Sequence, residues 1–150
     1  MIGIDEILLP RHVLLDMAAK DRLTALEEVI ATLRGDDRVA NWEVFRTSIM
    51  DRNAPAISSN GCGVCLAHGR TSAVTDLVMA AGRPEVGIVF PEIKEKVALV
   101  FVVGIPIAMD SEYLRIVGAL ARICRDPVQS SKLLAADSAE QFVDLLAAGE

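Results

Sequence analysis

His68 is followed at once by Gly69 and preceded by the apolar run Gly63-Val64-Cys65-Leu66-Ala67, so a nucleophilic side chain stands where a short strand is expected to run out. Upstream lie Arg52 and Ser58, separated from that run by turn formers. A neutral imidazole is a competent nucleophile at physiological pH, and an N–P bond to one of its nitrogens is labile enough to hand a phosphoryl group onward. Such a transfer is mostly positioning and electrostatics, and it needs positive charge and hydrogen-bond donors around the three equatorial oxygens. Arg52, Ser58 and the backbone amides of the Gly-rich segment are groups of that kind, and a guanidinium can bind two phosphate oxygens at once. In an open α/β sheet ligands gather at strand ends, which is where His68 is expected.

The same stretch carries a competing pattern. Cys62, Cys65 and His68 are spaced C-x2-C-x2-H, which invites a zinc or redox assignment. If Gly61 to Ala67 is a strand, period two puts the two cysteines on opposite faces, and Cys62 lies roughly 20 Å from His68 at ~3.3 Å per residue. The remaining cysteine and histidine, Cys124 and His12, offer no evident fourth ligand. No metal is expected, and both cysteines read as small buried apolar residues. His12, beside Pro10 and Arg11, reads as a surface residue. Gly61 and Gly63 belong to neither a G-x-G-x-x-G nor a Gly-Lys-Ser/Thr loop, so no ATP or other cofactor is implied and the phosphoryl donor would be another protein.

The elements that must hold His68 follow from periodicity. Leu26, Val29, Ile30 and Leu33 repeat at helical spacing within Asp21 to Arg34, and a shorter helix with Val44, Phe45 and Ile49 on its apolar side is expected over Asn41 to Met50. Gly61 to Ala67, Asp76 to Ala80 and Lys96 to Val103 are short and apolar, as strands buried on both faces are, and should share one sheet. Asp110 to Arg125 is expected to be helical, with Leu114, Val117, Ala121 and Cys124 along one side, Asp110 or Ser111 as its cap, and Arg125 at the end where positive charge suits the dipole. On that helix Asp110, Glu112, Arg115 and Arg122 read as a solvated charged face. A last helix begins at Ser138, which has capping-box spacing to Gln141, and buries Phe142, Leu145 and Leu146.

The chain has 150 residues, 52% of them hydrophobic and 4% aromatic, with a formal charge of −6. That length and core supply predict one domain over residues 1–150, of α/β class. An acidic chain with scattered single Lys and Arg residues and few aromatics is a poor nucleic-acid binder. Asp5 and Glu6 stand where an export signal would carry basic residues, and Val97 to Met109 is too short and too interrupted to span a bilayer, which needs ~20 residues. An odd cysteine count suits a reducing compartment, so a cytoplasmic location without membrane insertion is expected.

From Arg52 to Gly69 the sequence resembles the enzyme IIA domains of the fructose, mannitol and nitrogen-regulatory (type 2) phosphotransferase systems. Their pattern runs Arg-Glu, Ser-Thr-Gly, an apolar residue, Gly-x-Gly, an apolar strand and Pro-His-Gly. Here Arg52-Asn53, Ser58-Ser59-Asn60-Gly61 and Gly63-Val64-Cys65-Leu66-Ala67-His68-Gly69 match it without insertion. The resemblance continues through Val97 to Pro106, Tyr113-Leu114 and Ser138-Ala-Glu-Gln, and so covers essentially the whole chain. It implies a central mixed β-sheet flanked by helices, a phosphohistidine at His68 supplied by the phosphocarrier HPr or its nitrogen-branch relative, and Arg52 and Ser58 lining the pocket. Three positions depart from the pattern: Ala67 stands for proline, Asn53 for glutamate, and Tyr113 for a second histidine. The phenol of Tyr113 can still donate to a phosphate oxygen, an auxiliary role. Onward roles stay open between a stand-alone nitrogen-regulatory protein, a sugar-uptake component passing phosphate to a cysteine of enzyme IIB, and a binding switch without onward transfer.

Overall fold

In the computed structural model, which describes residues 2–51, 56–59 and 62–150, five strands form one sheet. They are β1 (Val13–Met17), β2 (Ala56–Ser59), β3 (Cys62–Arg70), β4 (Val78–Pro84) and β5 (Val97–Ile105), in the order β1-β4-β5-β3-β2. β5 is central because its run Val-Ala-Leu-Val-Phe-Val-Val-Gly-Ile is apolar on both sides and so must be covered on both. It pairs parallel with β3 and antiparallel with β4, while β1 runs parallel to β4 and β2 antiparallel to β3, which makes the sheet mixed. The three expected strands are present in this one sheet. β3 continues to Arg70, so His68 sits inside the strand, paired with Val103, instead of just beyond its end.

Helices cover both faces. On one side α1 (Ile4–Ile7), α4 (Asp110–Arg125), α5 (Pro127–Ala135) and α6 (Ala139–Gly149) pack Ile116, Leu120, Ile123, Leu133, Phe142 and Leu146 against Val64, Leu66, Met79, Phe101 and Val103. On the other, α2 (Arg22–Ala31) and α3 (Trp42–Met50) bring Leu26, Val29, Ile30, Phe45 and Ile49 against Cys65, Ala67, Ala80, Val100 and Val102. Each large aliphatic or aromatic side chain so buried contributes about 1.5–3 kcal/mol. Asp21, Asn41 and Ser138 cap α2, α3 and α6 by accepting from the Thr24, Val44 and Gln141 amides. Gln141 returns its side chain to the Asp137 amide, one residue earlier than a capping box would place it.

Three helix expectations are corrected. Val44 is exposed, so the apolar side of α3 rests on Phe45 and Ile49. On α4 Leu114 faces solvent, and the buried stripe is Ile116, Ala119, Leu120, Ile123 and Cys124; the expected stripe shared only Cys124 with it, because apolar residues also stand at positions flanking the buried face and their spacing admits a second phase. Its N-cap is Met109, with no side-chain cap bond, in place of Asp110 or Ser111. Arg115 is also not merely solvated: it pairs with Glu112 and Glu150 and donates to the Ile2 carbonyl, tying α4 to the first residues and to the last helix.

Two glycines seat α3 on the sheet. Gly69 of β3 and Gly104 of β5 are register partners, and a Cβ on Gly104 would lie 2.7 Å from Phe45 Cε1 and 2.8 Å from Val78 Cγ2. One on Gly69 would lie 3.0 Å from Ser48 Oγ. The His68-Gly69 pair thus has a packing reason: the residue after the histidine must be small for the helix to approach.

His12 is buried, against the surface expectation. Its Nε2 lies 3.4 Å from Asp36 Oδ2, and Asp36 accepts from the Arg38 amide, Nε and Nη2 at 2.9, 2.9 and 3.0 Å. Arg38 also donates to the carbonyls of Ile7 and Leu77, so one carboxylate and one guanidinium fasten α1, the loop after α2 and the start of β4. The Arg38 hydrogen bonds hold the Asp36 carboxyl down at about 2, whereas burial pushes the His12 imidazole below its usual value despite Asp36.

Candidate functional site

β3 alternates its side chains between the two helical layers. Val64 and Leu66 face the layer of α4 and α6, and His68 continues that series; Cys65 and Ala67 face the layer of α2 and α3. His68 is half-buried near the carboxyl end of the strand. Its Nδ1 is shut off from solvent and has no hydrogen-bond partner among the described residues. The remainder of the ring therefore provides its exposed surface. Tyr113, on the first turn of α4, stacks obliquely beside it, with ring centroids 5.1 Å apart and planes tilted by 38°. The departure that put a phenol in place of an imidazole thus lies in direct contact with the histidine.

The other expected site residues fall differently. Ser58 lies on the edge strand β2, in register with Gly63, so the backbone brings it alongside the strand that carries His68. Arg52 lies outside the described residues, as does Asn53. The last described residue before them, Asp51, ends α3 and lines a cavity of about 500 Å³ together with Glu43, Val44, Thr47, Ser48 and Arg70. The end of α3 and the end of β3 therefore border the same cavity. Arg70, which the sequence reading did not single out, is exposed there and donates from Nη2 to the Ile107 carbonyl at 3.2 Å.

The cysteine pattern does not assemble a metal site around His68. Cys65 lies on the opposite face of β3, fully buried, and burial pushes its thiol up to about 12, so it is neither an available thiolate nor a neighbour of the imidazole. Among the described residues no group of three His, Cys, Asp or Glu side chains is placed to hold a metal ion. Likewise, among those residues no helix is long and apolar enough to cross a membrane.

An α/β fold with a mixed five-stranded sheet, helices on both faces and a half-exposed histidine near the carboxyl end of an inner strand is the class this chain defines. Residues 6–149 match the family described as phosphoenolpyruvate-dependent sugar phosphotransferase system, EIIA 2, and the chain belongs to that family. A fructose-specific EIIA component of Haloferax volcanii is 32% identical over 137 residues, spanning 83% of this chain and 89% of that protein. The nitrogen regulatory protein IIA-Ntr from Neisseria meningitidis superposes with a TM-score of 0.82 at 24% identity, covering 95% of this chain and 98% of that one. The Escherichia coli mannitol enzyme IIA, solved in complex with phosphorylated enzyme IIB, gives a TM-score of 0.72 at 18% identity over 92% of this chain and 95% of its own. Members of the family are phosphotransferase-system components that transfer phosphoryl groups. The expected central mixed sheet with flanking helices is the observed fold.

Proposed function

We propose that His68 is the phosphoryl acceptor of this chain and that the donor is an HPr-like phosphocarrier. The observation that carries the reading is the state of the imidazole: half-exposed near the end of β3, with Nδ1 closed off and Tyr113 against the ring. Nε2 is then the nitrogen that attacks phosphorus. Its lone pair forms the new N–P bond as the bond to the donor breaks, and the electron pair of that bond stays on the donor's nitrogen. The phosphoryl oxygens are carried over unchanged, so their negative charge must be met by Arg52, Ser58 and the Tyr113 hydroxyl. No cofactor takes part in that exchange.

Among onward roles, our reading is a stand-alone protein of the nitrogen-regulatory type, in the cytoplasm, whose charge state sets its partners. The 32% identity to a fructose-specific component favours a second reading, in which the group passes to a cysteine of enzyme IIB for sugar uptake. One experiment tests both layers. With enzyme I, HPr and phosphoenolpyruvate, intact-mass measurement should find one acid-labile phosphoryl adduct on wild type and none on His68→Ala. Adding enzyme IIB should leave the adduct in place on the regulatory reading and drain it on the sugar reading. A serine phosphate stable to acid, or an adduct that survives His68→Ala, overturns the assignment.

A further inference from the structure

A histidine that does chemistry with one ring nitrogen is ordinarily held in place by a hydrogen bond at the other. His68 is not: its Nδ1 is closed off from solvent and has no such partner among the described residues. A half-turn about Cβ–Cγ would exchange Nδ1 with a ring carbon at almost no change of shape, since the terminal torsion of a histidine has two broad wells. Packing must therefore choose which edge of the imidazole faces outward. Tyr113 is the aromatic neighbour in contact with it, with centroids 5.1 Å apart and planes tilted by 38°, an arrangement within the range that aromatic pairs favour.

Tyr113 is itself held from two sides. Its side chain packs against the core cluster that contains Leu66, two residues before His68 on β3, and Val103, the register partner of His68 on β5. Its backbone lies in the first turn of α4, where the Tyr113 amide donates to the Met109 carbonyl at 3.1 Å and no side chain caps the helix. The anchor comes two residues later, where Arg115 binds Glu112, Glu150 and the Ile2 carbonyl. The uncapped turn is fixed in this way, and with it the wall beside the imidazole. A phenol ring suits such a wall, because its apolar body packs while its hydroxyl stays free to find a polar partner.

We infer that the ring of Tyr113, in place of a hydrogen bond to Nδ1, holds the His68 imidazole with Nε2 outward, so that Tyr113 is the positioning residue that decides which nitrogen takes the phosphoryl group. The inference rests on His68 being the acceptor. In the transfer the Nε2 lone pair displaces the donor's nitrogen from phosphorus, that nitrogen keeps the electron pair of the broken bond, and the imidazole proton stays on Nδ1. Tyr113 forms no bond and gives up no proton. Its ring acts through His68, whereas its hydroxyl acts on the phosphoryl oxygens, and the two roles separate by substitution.

The test compares wild type with Tyr113→Phe, Tyr113→Leu and His68→Ala, using phosphorylated HPr as donor. The rate of acceptance is measured, and the phosphorylated nitrogen is identified by long-range proton–nitrogen NMR correlation on nitrogen-15-labelled protein. Wild type should carry the group on Nε2 alone. Tyr113→Phe keeps the ring and loses the hydroxyl, so it should be slower by about two- to tenfold, the range for one neutral hydrogen bond, with the group still on Nε2 alone. Tyr113→Leu keeps apolar bulk and loses the ring, so acceptance should slow further and roughly a tenth or more of the adduct should appear on Nδ1, as the second torsional well fills. Tyr113→Met takes the same measurement should the leucine variant not fold. A merely structural role would lower the melting temperature without moving the group between nitrogens. If Tyr113→Leu carries the group on Nε2 alone, the ring does not orient the imidazole and the inference is overturned, whatever the rate. If Tyr113→Phe already gives the Nδ1 adduct, the hydroxyl sets the orientation and the inference is overturned again. In either case a His68→Ala variant that accepts nothing leaves His68 as the acceptor, whereas its phosphorylation would remove the ground for both readings.

Discussion

Asp36→Asn removes the charge that joins three parts of the molecule while keeping the shape of the side chain. In the folded protein the carboxyl ionises at about 2 against an ordinary value of 3.8, chiefly because Arg38 donates to it from backbone and side chain. A depression of that size is worth roughly 2 kcal/mol of stability at ~1.4 kcal/mol per unit, fully present above the unfolded value and lost as pH falls toward the folded one. The side chain is only 3% exposed, so solvent screening takes little from that figure. His12 works in the same direction higher up: its folded value is lowered by burial, so the unfolded chain binds the proton first and stability falls as pH drops below the unfolded value of 6.5. Urea denaturation of wild type and Asp36→Asn between pH 2 and 7 checks the sign and the size. The variant should be less stable by roughly 2–4 kcal/mol at pH 7, and the gap should narrow by ~2 kcal/mol between pH 4 and pH 2 as wild-type Asp36 is protonated. A gap that stays constant over that interval would show that the Arg38 bonds do not favour the ionised carboxyl, and the reasoning would fail.

Gly104→Ala should cost about 1–3 kcal/mol by forcing Phe45 or Val78 aside, and thermal melts should show a decrease of about 2–4 °C for each kcal/mol. An unchanged melting temperature would mean that α3 is not seated as closely as the contacts of that glycine require. Arg52→Lys keeps a positive charge and loses the bidentate geometry, so it should slow phosphorylation by HPr with little change in thermal stability. If Arg52→Lys and Arg52→Ala both accept phosphate at the wild-type rate, Arg52 does not belong to the site.

The central strands and the long helices were legible because their signals are local. Val97 to Val103 is continuously apolar, and Asp110 to Arg125 is bounded by charge at both ends. The edge strands were not: Val-Leu-Leu-Asp-Met in β1 and Ala-Ile-Ser-Ser in β2 are too short to show a period and take their conformation from the neighbour they pair with. α5 carried a readable start that the helix periodicity obscured, since Asp126 caps it and Pro127 occupies its first turn. At the site, His68 was visible from strand pattern and resemblance, and Tyr113 from resemblance. The burial of His12 depends on Asp36 and Arg38, more than twenty residues away, and no local pattern announces such a partner.

The alternation of β3 also has a consequence for traffic through the molecule. His68 and Cys65 are three residues apart, and both belong to side-chain types that accept phosphoryl groups, yet the sheet stands between them and the thiol is held protonated in the core. On the proposed reading, a phosphoryl group carried by His68 would therefore be unable to drain into this near neighbour. Its lifetime there would be governed by water and by whatever protein docks next, with the strand acting as an insulator between two potential stations on the same chain.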